Sequence, residues 1–269
     1  MWISANGGCD VLIAHLSDTH VRTGPLAAEP AANLHQALGR ILGMRPRPDC
    51  VVITGDLCEY EYTGVYADLR TLIERFPLPI HLTTGNHDSP ADLIDTFKGT
   101  AFLGGTAATT YSVDYPGATI IVLDSNRPDS PAGFLGAEQL AWLDETLAQR
   151  PGVPSFVCLH HPPIALGIPF LDGMRLEDGP ALGEVVARHP HVARILAGHV
   201  HRVIVAPFAG TIVSTAPSTY RQSGLRLHDA EPPGYLAEPT GYLLHQLVDG
   251  NVVTHSVVAS HAGAVLAGF

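Results

Sequence analysis

The sequence predicts an α/β fold in which a sheet with parallel strands, covered by helices, packs on a second, mixed sheet. Three observations lead to this prediction. Short β-branched runs alternate with helical patterns through the first 83 residues, a rhythm typical of parallel strands. Hairpin-like runs dominate the second half. Of the 269 residues, 46% are hydrophobic and only 15% are charged, which favours a large core over disorder.

In the first half, three predicted strands alternate with two predicted helices. The strands are the apolar runs at 10–16, 49–54 and 79–83. The helices, at 29–44 and 64–76, repeat leucine, isoleucine and valine at three- and four-residue spacing, so each has one apolar face.

In the second half, hairpins surround a strand–helix–strand unit. A hairpin at 109–125 turns at Pro116-Gly117, and a helix follows at 136–150. The remaining predicted elements are strands at 154–159 and 193–197, a helix at 182–189, and glycine-centred hairpins at 202–215 and 241–259.

Residues 216–240 form the exception to this regularity. They are rich in Pro and Gly and show no period. We expect an excursion, a cap or a dimerisation segment, within one domain that spans 1–269. Aromatic residues favour interfaces, so Tyr220, Tyr235 and Tyr242 indicate a homo-oligomer; an ordinary long loop is the alternative.

Charge and cysteine usage exclude several classes of protein. The formal net charge of -11 disfavours a nucleic-acid polymer as partner, and a nuclease in particular. No signal peptide and no apolar run of membrane-spanning length is apparent, so we expect a soluble, cytoplasmic protein without membrane contact. The four cysteines lack a CxxC spacing and are expected to be reduced and buried, with a disulfide as the alternative: Cys9, Cys50, Cys58 and Cys158.

Metal-ligand residue types follow five of the predicted strands. They are Asp18 and His20; Asp56; Asn86, His87 and Asp88; His160 and His161; and His199 and His201. Ligands of open α/β sheets bind at the carboxyl ends of the strands, where these residues lie. Imidazole nitrogens and carboxylate oxygens are typical metal ligands, and a spacing of two places a pair on one face of an extended segment.

Each motif alone has a plainer interpretation. Gly85-Asn86-His87-Asp88 resembles a turn in which Asp88 caps the next helix, and Gly55-Asp56 is a common turn. His161 is more simply explained by packing. All five motifs in order, each at a strand end, make coincidence implausible, and we interpret residues 85–88 as a metal-binding and catalytic turn.

This ordered set resembles the calcineurin-like metallophosphoesterase superfamily. The family pattern D-x-H, GD, GNH(D/E), H and GHxH is matched between about residues 10 and 205. The segments SDTHVR and HHPPIALG resemble the bacterial branch that holds glycerophosphodiesterases and class III cyclic-nucleotide phosphodiesterases. The resemblance implies two stacked mixed sheets flanked by helices, an αββα sandwich.

The resemblance also implies two metal ions. One would be held by Asp18, His20, Asp56 and His201, and the other by Asp56, Asn86, His160 and His199, with Asp56 as the bridge. His87 would lie beside the metals as a catalytic residue, oriented by Asp88. Relatives often carry an acidic residue three positions after the bridging aspartate; Glu59 stands there, and we assign it no role.

The implied activity is that of a metal-dependent phosphoric diester hydrolase. Attack by a metal-bridging hydroxide would cleave small phosphodiesters, either cyclic nucleotides such as 3′,5′-cAMP or glycerophosphodiesters. The mixed N and O ligand set favours Mn, Fe, Zn or Co, as two divalent ions or as an iron and a divalent ion. The alternatives are a phosphomonoesterase on the same site and a non-catalytic protein-binding scaffold.

Overall fold

The structure, a computed structural model, describes residues 11–59 and 64–260, so Cys9 lies outside the described residues. The strands are β1 (Leu12–Leu16), β2 (Cys50–Thr54), β3 (Ile80–Thr83), β4 (Tyr111–Asp114), β5 (Thr119–Val122), β6 (Ser155–Cys158), β7 (Val192–Ala197), β8 (Ile204–Phe208), β9 (Thr211–Thr215), β10 (Gln222–Ser223), β11 (Tyr235–Leu236), β12 (Gly241–Val248) and β13 (Asn251–Val258). The α-helices are α1 (Ala28–Gly43), α2 (Val65–Ile73), α3 (Pro90–Phe97), α4 (Gly136–Gln149), α5 (Pro169–Asp172) and α6 (Gly179–Ala187).

The strands form two large sheets, and the prediction of two mixed sheets is confirmed. The first sheet has the order β13-β12-β1-β2-β3, with β1, β2 and β3 parallel. The second has the order β4-β5-β6-β7-β9-β8, with a parallel centre and an antiparallel strand at each edge. The three predicted hairpins are present as β4-β5, β8-β9 and β12-β13.

The core lies between the sheets and under the helices, as the period of two along a strand requires. In β5, Ile120 and Val122 pack into one cluster with residues of β1, β2 and the helices α1 and α2. Ile121, between them, faces the other way and packs against α4 and α6. The second sheet is therefore apolar on both faces, and helices flank the pair of sheets.

Helix α3 begins directly after the turn at 85–88. Its N-cap is Ser89, whose Oγ accepts from the N–H of Asp92, and Pro90 occupies the first helical position. The interpretation of Asp88 as the cap is therefore wrong. Since Ser89 already supplies the capping oxygen, the Asp88 carboxylate is available for other contacts.

The segment 216–240 contains the two-stranded pair β10-β11. Tyr220 is buried and lies beside the guanidinium groups of Arg22 and Arg221, 5.1 and 4.8 Å from its ring centroid. Tyr235, by contrast, is 57% exposed. Tyr242 lies in β12 and is 1% exposed, so it belongs to the core and cannot contribute to a surface contact.

No α-helix in residues 11–59 or 64–260 is both long enough and apolar enough to cross a lipid bilayer.

Four buried histidines make the fold sensitive to acid. Burial lowers the pKa of His15 to about 3 and of His81 to about 4, and lowers the pKa of His161 and His245 well below the usual value. Each is protonated more readily in the unfolded chain, so its contribution to the free energy of unfolding falls as pH drops from about 6.5 toward 4. The loss per histidine is on the order of 1 kcal/mol for each pH unit. Near neutral pH it is partly offset in the metal-free protein by His87 and His160, whose neighbours raise their pKa to about 9.

Urea unfolding of the metal-free protein at pH 7.0, 6.0 and 5.0 measures this loss. We expect the unfolding free energy of His81→Gln to fall less steeply with decreasing pH than that of the unaltered protein, because the variant lacks one buried histidine. This difference in slope is expected whatever the stability of the variant at pH 7. Equal slopes for the two proteins would contradict the assignment of His81 as a buried neutral imidazole.

Candidate metal centre

The seven predicted ligand residues come together at one edge of the two sheets. Their loops follow β1, β2 and β3 of the first sheet and β6 and β7 of the second. Six of the seven are buried: Asp18, His20, Asp56, His160, His199 and His201. Asn86 is half-buried and lies at the mouth of the cluster.

Most of these side chains are carried by strained backbone. Positive φ values, between 45° and 71°, occur at Asp18, His20, Asp56, His199 and His201. L-residues rarely adopt this region, and such strain clusters at functional sites. Among the described residues, the only other non-glycine positions with positive φ are Ala209 and Asp249, which lie in hairpin turns.

Two glycines let the ligand loops approach one another. A Cβ at Gly85 would lie 2.2 Å from Oδ1 of Asp56, and one at Gly198 would lie 2.0 Å from Oγ of Ser17. No side chain fits at either position, which gives the glycines of the GNH and GHxH motifs a steric reason.

The first half of the cluster contains Asp18, His20, Asp56 and His201, whose ligand atoms lie within 4.8 Å of one another. Nδ1 of His201 lies 2.7 Å from the carbonyl oxygen of Arg221 and must donate to it. Nδ1 of His20 lies 2.8 Å from a carboxylate oxygen of Glu59 and donates likewise. Both Nε2 atoms therefore carry lone pairs in the neutral rings, yet they lie only 3.1 Å apart.

The second half contains Asp56, Asn86, His160 and His199. Nδ1 of His160 donates to the carbonyl oxygen of Thr54 at 2.8 Å, which directs Nε2 into the cluster. That Nε2 lies 3.4 Å from Oδ1 of Asp56, 3.2 Å from Oδ1 of Asn86 and 3.3 Å from Nδ1 of His199. Four atoms that can accept a proton or a cation thus converge on one point.

The Asp56 carboxylate connects the two halves. Its Oδ2 faces Nε2 of His20 at 3.8 Å, and its Oδ1 faces Nε2 of His160 at 3.4 Å. Oδ1 also accepts from the N–H of His87 at 2.9 Å, which holds the carboxylate in this orientation. One oxygen is directed to each half, the arrangement that a bridging ligand requires.

Burial and charge make this a place that attracts cations. Burial alone would raise the pKa of Asp56, but His160, His87 and His20 hold it well below its usual value. Conversely, burial would lower the pKa of His160, but the Asp56 and Asp18 carboxylates and the Thr54 carbonyl raise it to about 9. Because a metal ligand must be deprotonated, a cation bound at this point and a second proton on the His160 ring exclude one another.

The donor set fits a divalent metal. His199 has a buried Nε2 without a hydrogen-bond partner, while its Nδ1 faces Asn86 and His160. Imidazole nitrogens, carboxylates and an amide oxygen are the donors that Mn, Fe, Zn and Co accept. Carbonyl and carboxylate partners fix the tautomers of His20, His160 and His201, as the outer partners of metal-binding histidines do.

The partner of His87 differs from the predicted one. Its Nδ1 lies 2.9 Å from Oε2 of Glu59, not beside the carboxylate of Asp88. Burial would lower the pKa of His87, but the hydrogen bond to Glu59 and the Asp56 charge raise it to about 9. Although burial opposes it, His20 and His87 hold the pKa of Glu59 well below its usual range. The prediction that Asp88 holds His87 is therefore wrong, because the carboxylate that meets Nδ1 of His87 belongs to Glu59.

Asp88 instead ties two turns together. Its carboxylate accepts from the N–H groups of Gly85, Leu57 and Cys58 and from the hydroxyl of Tyr66, at 2.8 to 3.0 Å. Buried N–H groups require an acceptor, and one carboxylate serves three of them. Asp88 thus connects the loop of Asp56 to the loop of Asn86.

Sequence reasoning missed two further residues of the site. Glu59 was visible three positions after Asp56, but nothing in the sequence said which histidine it would meet. Asn126, after β5, donates from Nδ2 to the carbonyl oxygens of Gly85 and Asp88 and so braces the turn that carries Asn86. No pattern in the sequence singles out Asn126. His161 was interpreted as a packed residue, and it is buried, in contact with Ser125 and the carbonyl of Pro131.

Known proteins resemble this chain in sequence. The calcineurin-like phosphoesterase family matches residues 11–203. A probable cyclic nucleotide phosphodiesterase of Synechococcus sp. is 32% identical over 231 residues, which cover 82% of this chain and 88% of that protein. A glycerophosphodiester phosphodiesterase of Enterobacter lignolyticus is 28% identical over 257 residues, which cover 93% of this chain and 92% of that protein.

A solved structure shares the fold. A dimetal phosphatase from Danio rerio aligns with a TM-score of 0.66 over 93% of this chain and 96% of its own, at 15% sequence identity. At that identity the likeness concerns the arrangement of sheets and helices alone.

Proposed function

We propose a function for this chain, which belongs to the calcineurin-like phosphoesterase family. It is a metal-dependent phosphodiesterase that hydrolyses small phosphodiesters, either cyclic nucleotides such as 3′,5′-cAMP or glycerophosphodiesters. The observation that carries the proposal is the convergence of imidazole, carboxylate and amide ligand atoms on two points that share Asp56. The named relatives, one probable cyclic nucleotide phosphodiesterase and one glycerophosphodiester phosphodiesterase, support the substrate class.

Each half of the cluster holds one metal ion in this proposal. Asp18, His20, Asp56 and His201 hold the first. Asp56, Asn86, His160 and His199 hold the second. When bound, two divalent ions supply a water of lowered pKa and a contact for a phosphate oxygen. The two aspartates offset only two of the four positive charges, so the site attracts an anionic diester although the chain has a net charge of -11.

His87 protonates the leaving alkoxide. Its Nδ1–H is held by Glu59, so the proton on Nε2 is free to face a substrate. In the metal-free protein, the hydrogen bond to Glu59 and the Asp56 charge raise the pKa of His87 to about 9, which favours the protonated ring. General acid catalysis of this kind contributes roughly 10²–10⁴ in rate. The side chain is 37% exposed, which leaves it accessible to a small ligand.

The remaining features of the proposal concern the metal, the location and the assembly. The N and O donors favour Mn, Fe, Zn or Co. Cys50, Cys58 and Cys158 are free and buried, as expected of a protein in the reducing cytoplasm. The segment 216–240 is a cap or a dimerisation segment of a single domain, and the exposed Tyr235 supports a role at a surface.

The test compares two chromogenic substrates. With manganese-loaded protein, we expect hydrolysis of bis(p-nitrophenyl) phosphate to exceed that of p-nitrophenyl phosphate. Asn86→Ala should lose most of the diester activity, whereas Asn251→Ala should keep it, because Asn251 is the exposed first residue of β13. A preference for the monoester would make the protein a phosphatase. Two bound metals without turnover of either substrate would leave a binding scaffold.

A further inference from the structure

A cavity of about 310 Å³ opens onto the metal centre. Its floor is formed by the cluster itself, with Asp56, Asn86, His87, His199 and His201. Its walls come from two segments distant in sequence. One wall is the region of α5, and the other is the stretch that leads into β11. The wall residues include Phe170, Leu171, Met174, Pro233 and Tyr235.

The walls are uncharged and mostly apolar, with Ser223 and the hydroxyl group of Tyr235 as their polar groups. Among the described residues that line the cavity, none is a lysine, an arginine or a glutamate, and the one aspartate is Asp56 of the floor. A second phosphate or a carboxylate on the substrate would find no lysine or arginine there. A polyol would leave most of its hydroxyl groups facing carbon, which costs free energy because buried polar groups need partners.

The wall at α5 is rigid and the wall at β11 offers an aromatic face. Phe170 and Met174 pack against a small cluster of Ile168, Leu171 and Val200. Tyr235 lies beside the ring of His201, with centroids 5.4 Å apart and planes 30° from parallel. It is nevertheless 57% exposed, which is a large apolar area for a side chain that borders a catalytic cluster.

On the other side of His87 the surface is different. A larger cavity there shares Asn86, His87 and Pro131 with the first one. Its lining mixes apolar residues with polar and charged ones: Pro90, Ala91 and Pro128, and Asp88, Ser89, Asn126, Arg127, Asp129 and Ser130. A phosphate at the metal centre therefore lies between an apolar cavity and one that also offers polar and charged side chains. The two arms of a diester meet different surroundings.

We propose that the apolar cavity binds a flat ring, an aryl group or a nucleobase, carried on one arm of the diester. Phe170 and Tyr235 are then the residues that determine a preference for such substrates over diesters with polyol arms. The inference rests on the proposed function, since it places the phosphate at the metal centre. It goes further by naming the class of arm and the two side chains that select it.

The first experiment varies only the ring. The substrates are 3′,5′-cAMP and 1-O-methyl-ribose 3′,5′-cyclic phosphate, which has the same cyclic ester and a methoxy group in place of adenine. Because stacking on an aromatic side chain is worth ~1–3 kcal/mol per base, we expect kcat/KM to favour cAMP by about tenfold or more. Tyr235→Ala and Phe170→Ala should each reduce this ratio, and Tyr235→Phe should retain it.

Leu225→Ala is the matched control. Leu225 is 55% exposed and belongs to the same excursion, but it does not line the cavity. The ratio of the kcat/KM values for the two substrates should be the same in Leu225→Ala as in the unaltered protein. A ratio unchanged by both Phe170→Ala and Tyr235→Ala would overturn the inference.

The second experiment does not depend on turnover. Calorimetry of the manganese-loaded protein compares phenylphosphonate with methylphosphonate, which differ in the ring alone. Tighter binding of phenylphosphonate, lost in Tyr235→Ala, supports the inference even if no diester is hydrolysed, and in that case only the proposed function fails. Equal binding of the two phosphonates would overturn the inference while leaving the phosphodiesterase proposal intact.

Discussion

Asp56→Asn is expected to reduce kcat/KM for bis(p-nitrophenyl) phosphate by about a thousandfold or more. A loss of that size corresponds to the several kcal/mol of transition-state stabilisation that two metal ions supply. Among the described residues, the Asp56 carboxylate is the one directed into both halves of the cluster, with one oxygen 3.8 Å from His20 and the other 3.4 Å from His160. Asparagine keeps the volume but has one oxygen and no charge. Elemental analysis should therefore find fewer than two metal ions per chain.

The comparison must separate loss of metal from loss of fold. Asp95→Asn is the matched control, because Asp95 lies in α3, is 77% exposed and only meets Lys98. It should keep two metal ions and full activity. Thermal unfolding of metal-free Asp56→Asn should stay cooperative. Two tightly bound ions and activity within tenfold of the unaltered protein would show that Asp56 is not the bridge.

The sheets were predictable because their signals are local. Strands of four to six buried residues and helices with one apolar face follow from the spacing of side chains within each segment. The order of strands was not predictable, since β12 pairs with β1 across more than 200 residues. That pairing depends on which strand edge remains open after the parallel strands have assembled, and no local pattern records it.

That the candidate ligand residues meet was predictable for a related reason. A strand end fixes where a backbone atom lies, and five such ends converge at the edge of the sheets. The partner of each side chain was not predictable. Asp88 follows His87 directly, which suggested a pair, but the turn directs its carboxylate back to the N–H groups of Gly85, Leu57 and Cys58. Glu59 meets His87 from another loop.

The surroundings of the segment 216–240 were the least predictable feature. The sequence of 216–240 indicates an excursion, but only the fold shows that Tyr235 lies against His201 and borders the same cavity as Phe170. Residues 170 and 235 are separated along the chain by three strands of the second sheet and by β10. Their meeting depends on tertiary packing, and so does the proposed selectivity.

His87→Ala is expected to have the second large effect, and one that depends on the leaving group. An alkoxide must be protonated as it leaves, so kcat/KM for 3′,5′-cAMP should fall by roughly 10²–10⁴. The p-nitrophenolate ion leaves without a proton, so the loss for bis(p-nitrophenyl) phosphate should be far smaller. Metal content should not change, because His87 is outside both ligand sets. Equal losses for the two substrates would show that His87 is not the acid.

Glu59→Gln tests how that acid is held. Glu59 contacts His87 with one oxygen and His20 with the other, so it can act on the acid, on the metal centre or on both. If Glu59 acts through His87, Glu59→Gln should also reduce kcat/KM for bis(p-nitrophenyl) phosphate far less than kcat/KM for 3′,5′-cAMP. Adding Glu59→Gln to His87→Ala should then lower kcat/KM only slightly further, because residues that work as a unit have non-additive effects. A loss that persists in that background, together with a lower metal content, would assign Glu59 to the orientation of His20 instead. The two contacts are thereby separated by a single double-mutant cycle measured on two leaving groups.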